Sequence, residues 1–146
     1  MAGLTTPVED NILNWMKGTT WPSLGAWGAA PTTTYVGLFT TNPTSDAATS
    51  NGSTEVSVGS YARVAITSSS GWSSISGGST TPAQISNADE VTFPTATANW
   101  GAVVGIGVFD AATNGNLLWW GSISSQTINT GVTAFFAPGA LVLTCD

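Results

Sequence analysis

The sequence predicts a mainly β chain: one antiparallel β-sandwich or jelly-roll-like domain with a single short N-terminal helix. Strand-sized runs rich in Val, Ile, Thr and aromatic residues recur from Thr33 onward. Gly, Pro and Asn turn signals separate them at intervals of about 8–15 residues. Helical periodicity is confined to residues 5–17. A chain of 146 residues with no internal repeat suits one domain.

The helix has start and stop signals. Thr6 is a good N-cap, Pro7 sits where a missing N–H costs nothing, and Glu9 completes a capping box. Glu9 and Asp10 suit the positive end of the helix dipole and Lys17 the negative end, and Gly18 ends the helix. Val8, Ile12, Trp15 and Met16 form its apolar stripe. Residues 18–32 are a Gly/Pro/Trp-rich connection carrying Trp21 and Trp27, and residues 33–146 are the β region.

Thr34–Thr41 reads as the first strand, broken by Asn42-Pro43. A polar loop follows over 43–54. Glu55–Ser68 holds one or two strands with a kink at Gly59. Residues 69–82 are Ser/Gly-rich and are expected to run over the surface. Ile85–Phe93 contains a short strand, with a turn at 87–89. Trp100–Asp110 is a continuous apolar run too short to span a bilayer as a helix, and its β-branched content predicts a strand buried on both faces. Asn114-Gly115 is a strong hairpin signal, with Leu117–Ser122 returning. Val132–Phe136 and Ala140–Thr144 follow, separated by Pro138-Gly139. In Trp119-Trp120, alternation predicts one core and one outward indole.

Composition excludes much chemistry. Histidine is absent, so Ser-His-Asp or Cys-His catalysis and a Cys/His zinc site are ruled out. Two cations, Lys17 and Arg63, against eight carboxylates give a net charge of −6, which opposes binding of a nucleic-acid backbone. Charged residues are 7% of the chain against about 25% ordinarily. Ser and Thr supply surface polarity instead, so contacts should respond weakly to salt. No membrane-spanning run and no secretory signal are visible. Glycines 105 and 107 lack the following helix of a dinucleotide site. The adjacent pairs Glu9-Asp10 and Asp89-Glu90 fit helix-start and solvated roles better than a glycosidase dyad. Asp46, Asp89 and Asp110 lack calcium-loop spacing. No enzyme, catalytic residue, metal or cofactor is expected. The lone Cys145 forms no intrachain disulfide, and Arg63 is expected to pair with a carboxylate.

Several segments together carry a resemblance: EDNILNWM, TYVGLFTTNPT, TEVSVGSYARVAI, and ISNADEVTFPTATANWGAVVGIGVFDAATNGNLLWWGSI. Across about residues 8–144 the chain resembles small virion proteins of tailed phages, commonly described as tail fibre proteins, with relatives that decorate capsids as cement proteins. It departs in Val108, where Ile is usual, and in Trp- and Ser-rich insertions at 18–31 and 68–82. The resemblance implies a β-sandwich or jelly-roll-like virion protein acting as a homotrimer. Lacking a coiled coil or shaft, it is expected to be a capsid decoration (cement) protein on the outer surface of the capsid, bound across capsomers to the major capsid protein. The interface would use Ile12, Trp15, Met16, Trp21 and Trp27. The alternative is a tail or fibre component binding a host glycan by stacking on Trp27, Trp72 or Trp120.

Overall fold

The computed structural model describes residues 12–14, 16–18, 31–43, 52–77 and 81–145. It is mainly β, with antiparallel pairing and one short helix, as expected. The helical backbone is seen at Ile12, Leu13, Asn14 and Met16, where the Lys17 amide donates to the Leu13 carbonyl at 3.0 Å. The capping residues Thr6, Pro7 and Glu9 lie outside the described residues.

Among the described residues nine strands follow: β1 (Thr33–Thr41), β2 (Thr54–Glu55), β3 (Val64–Thr67), β4 (Ala83–Ser86), β5 (Val91–Thr92), β6 (Gly101–Phe109), β7 (Leu117–Ile128), β8 (Phe135–Phe136) and β9 (Val142–Cys145). They fall into two compact units interleaved along the chain. One takes Thr34–Ala65 and Thr92–Phe135. The other takes the described residues of Met1–Thr33, Ile66–Val91 and Phe136–Asp146.

The first unit is built on a sheet of order β2-β1-β6-β7, with β3 also paired to β1. β6 is sandwiched between β1 and β7, and Gly105–Phe109 is buried without interruption. A strand covered on both faces has no polar alternation, which is why it appears in the sequence as one apolar run. Gly37 of β1 stands opposite Gly107 of β6. A Cβ on Gly107 would sit 2.7 Å from Leu117 and 2.8 Å from the Phe39 ring, so the missing side chain is what lets the aromatics close in. Phe39, Phe109 and Leu117 form the core there, with the two Phe rings 6.0 Å apart and tilted by 60°, and Tyr35 and Trp120 packed against them. A second aromatic group joins Tyr61, Phe93 and Trp100. Tyr61 stacks on Phe93 at 6.2 Å and meets Trp100 edge-on at 5.4 Å.

Asn114 (φ 56°) and Gly115 (φ 72°) both take positive φ between β6 and β7, but the connection from Asp110 to Asn116 is longer than the two-residue hairpin that Asn-Gly predicts. Asp110 secures this turn: its carboxylate accepts from the Asn116 amide at 2.6 Å and from Asn116 Nδ2 at 2.7 Å. β7 runs six residues beyond the Leu117–Ser122 return strand expected. Its pairing with β6 slips between Val103↔Gln126 and Gly105↔Ser122, leaving Ile123–Ser125 bulged opposite Val104. Asn42, just past β1, straps this irregularity: its Nδ2 donates to the Val104 carbonyl at 3.3 Å and to Ser122 Oγ at 3.0 Å.

In the other unit β4 pairs antiparallel with β9, Ala83 to Cys145 through Ser86 to Val142. Ala83, Ile85, Leu141 and Leu143 are buried, while Gln84 and Val142 alternate outward. Residues 69–82 were expected to be a surface excursion, but Trp72 is only 3% exposed. Bridges from Trp72 to Asn87 and from Ser76 to Gln84 fasten the segment to β4 and its continuation. Asn87, expected in a turn, is buried and fully used. Its Nδ2 donates to the Asp89 and Ala137 carbonyls at 2.8 Å, and its Oδ1 accepts from the Leu141 amide at 2.8 Å.

Candidate functional site

The densest polar cluster gathers around Arg63. Pairing of β2 with β1 sets Glu55 opposite Phe39, and the turn through Gly59 (φ 61°) returns Tyr61 and Arg63 beside it. Arg63 Nε donates to Glu55 Oε1 at 2.8 Å and Nη2 to Oε2 at 2.7 Å, a bidentate pair. Nη1 donates to the carbonyls of Ala111 and Asn114 at 2.8 and 2.7 Å. The guanidinium lies 3.4 Å above the centre of the Phe109 ring. Tyr61 Oη donates to Glu55 Oε1 at 2.7 Å and accepts from the Leu38 amide at 2.9 Å. Gly37 leaves the room: a Cβ there would come within 2.8 Å of Glu55 and 2.9 Å of Phe109. The carboxylate expected to partner Arg63 is therefore Glu55.

A pocket of about 360 Å³ opens beside this cluster, lined by Glu55, Tyr61, Arg63 and the hairpin residues Ala112, Thr113 and Asn114. The Glu55, Tyr61 and Arg63 side chains are engaged with each other. Burial, and then the charge of Glu55, raise the Tyr61 hydroxyl well above its ordinary titration range. A phenol so held keeps its proton, and both oxygens of its neighbouring carboxylate accept from Arg63. The cluster ties β1, β2, the Tyr61–Arg63 segment and the β6–β7 hairpin together. Among the described residues no group of three or more His, Cys, Asp or Glu is placed to hold a metal. No helix among them is long and apolar enough to cross a membrane.

The surface is the other candidate. Residues 111–145 contain no charged side chain. Ser122 and Ser124–Thr127 of β7 are exposed, and β7 ends the sheet order. Val58, Val132 and Phe135 are exposed apolar residues of the same unit, Phe135 the most at 59%.

Of the residues expected at an interface, Ile12 is half-buried and Met16 is buried, while Trp15, Trp21 and Trp27 lie outside the described residues. The helical residue that the stripe missed is Leu13, 1% exposed and three positions before Met16. Of the glycan-stacking candidates, Trp72 is buried, and Trp120 is half-buried against the Phe39–Phe109–Leu117 core. Trp119 is also half-buried, so the predicted split into one core and one outward indole does not hold. The register of β7 slips at this end too, with Val108 opposite Trp119 and Phe109 opposite Leu117, so strict alternation is lost.

The family model described as podophage GP4 fiber I protein gp80 matches residues 3–144. The chain belongs to this family. It is thus a structural protein of a phage virion, of the fibre type. The search of curated proteins gives no match. The description names a fibre, which favours the tail-fibre alternative over the capsid cement role expected above; it does not speak of capsid decoration or of the capsid's outer surface.

Proposed function

We infer that this protein is a structural subunit of a tail fibre and works by fitting uncharged surface against protein neighbours, copies of itself among them. The family match over residues 3–144 is the observation that carries this reading. Two features of the fold support it. The polar cluster around Arg63 bonds Glu55, Tyr61 and Arg63 to one another and to backbone carbonyls. The exposed strands present hydroxyls and amides in place of ions, so contacts between neighbours need not desolvate charge.

Electron microscopy of intact virions labelled with an antibody to the purified protein tests the reading. Label on appendages at the tail supports it. Label spread over the faces of the head overturns it in favour of cementing across capsomers, and particles without label overturn a place in the virion.

A further inference from the structure

We propose that the outer edge of β7, over Ser122–Thr127, is the seat of a second copy of this chain, held by main-chain hydrogen bonds and polar uncharged side chains. This rests on the fibre-subunit reading and names the surface that would serve it.

Strand β7 ends the sheet order, so its outer edge carries no strand among the described residues. Natural edge strands are commonly guarded by Lys, Pro or a β-bulge. Here the strand is 12 residues long, contains no Lys and no Pro, and within Ser122–Thr127 is bulged at 123–125. The bulge at 123–125 modulates the edge, but Asn42 pins Ser122, and Gln126 remains in register with Val103, so the strand stays extended on either side of the irregularity. Ser124, Ser125, Gln126 and Thr127 are exposed.

Charge selects the occupant. The chain carries −6 overall, yet nothing from 111 to 145 is ionised. A different partner could exploit an acidic surface by bringing cations to it. A second copy, itself at −6, gains from a contact strip free of carboxylates, because like charges facing each other across a strand pair are destabilising.

The test is sedimentation velocity and native mass spectrometry of the purified full chain, compared with the double variant S124D/Q126D. The expected result is a concentration-dependent assembly of wild type that persists in high salt, and association at least about tenfold weaker in the variant, at unchanged far-UV circular dichroism and melting temperature. Should the variant fold poorly, hydrogen exchange of wild type decides: amides of 122–127 are expected to gain protection as concentration rises. A wild type that stays monomeric, a folded variant that assembles as wild type does, or exchange at 122–127 independent of concentration overturns the proposal. Antibody label at the tail together with any of these would leave the fibre reading standing and remove only the β7 contact. Absence of label would remove the fibre reading whatever the solution state.

Discussion

Arg63 shows how much structure one cation can organise in a chain that has so few. Its side chain is 8% exposed, and Glu55 is 25% exposed. Truncating it strands a carboxylate, and two hairpin carbonyls lose their donor. Arg63→Ala should therefore lower unfolding free energy by about 3 kcal/mol, read by denaturant titration. Arg63→Lys should recover less than half of that, because an ammonium cannot reproduce the bidentate pair, both carbonyl contacts and the stack on Phe109. Tyr61 adds a pH signature. Its folded titration point is raised above the ordinary tyrosine value, so the folded state holds its proton more tightly than the unfolded chain does. Its share of stability is then complete below about pH 10 and declines as pH climbs beyond that, where the unfolded phenol ionises first. Denaturant titrations between neutral and strongly alkaline pH should show this slope flattened in Tyr61→Phe. That variant should also be weaker at neutral pH by about 1–2 kcal/mol, since the Leu38 amide loses its acceptor. Asn87→Ala should cost about 2–3 kcal/mol by orphaning the buried Leu141 amide.

Among the strands, β1 and β6 were legible because central strands turn two apolar faces inward and leave a continuous run. The Asn114-Gly115 turn was legible because few residue pairs tolerate two successive positive φ angles. Gly115→Val should destabilise by more than about 2 kcal/mol, whereas Asn114→Gly should change melting by little. Gly107→Ala tests the packing of the central strand: its methyl would press on Leu117 and Phe39, and a loss of about 1–3 kcal/mol is expected in thermal or denaturant unfolding. Other features left no local trace. Asn42-Pro43 reads as a breaker, and nothing in it reveals a strap to a bulge some sixty positions away. Trp72 sits in a Ser/Gly setting that looks like surface, yet it is buried and its backbone pairs with Asn87. Helical spacing picked out Met16, but Leu13, nearly as deeply buried as any residue here, lay off the stripe drawn from Val8, Ile12 and Trp15.

At the scale of the molecule, composition ruled out histidine-dependent triads and Cys/His zinc sites but identified no partner. A sequence without histidine, with ten ionised residues scattered over 146, can be read for what it lacks. The Arg63 cluster was half visible, because a lone arginine needs a carboxylate, but which of eight it takes depends on the β1–β2 register. Low charge makes a further prediction about behaviour as a whole: raising salt from tens of millimolar to molar should shift the melting temperature only slightly, measured by scanning calorimetry, since few surface ion pairs exist to be screened.

The pairing of β4 with β9 carries a consequence for biogenesis. Roughly sixty residues of chain separate the two partners, and ribosomes add about 5–20 residues per second. Ile85 therefore emerges from the exit tunnel seconds before Leu143 exists to cover it. The nascent polypeptide must protect that apolar strand meanwhile, either with the Trp72–Ser76 flap already made or with a host chaperone. The yield of usable particles from an infected cell should accordingly be more sensitive to temperature during synthesis than to temperature after assembly.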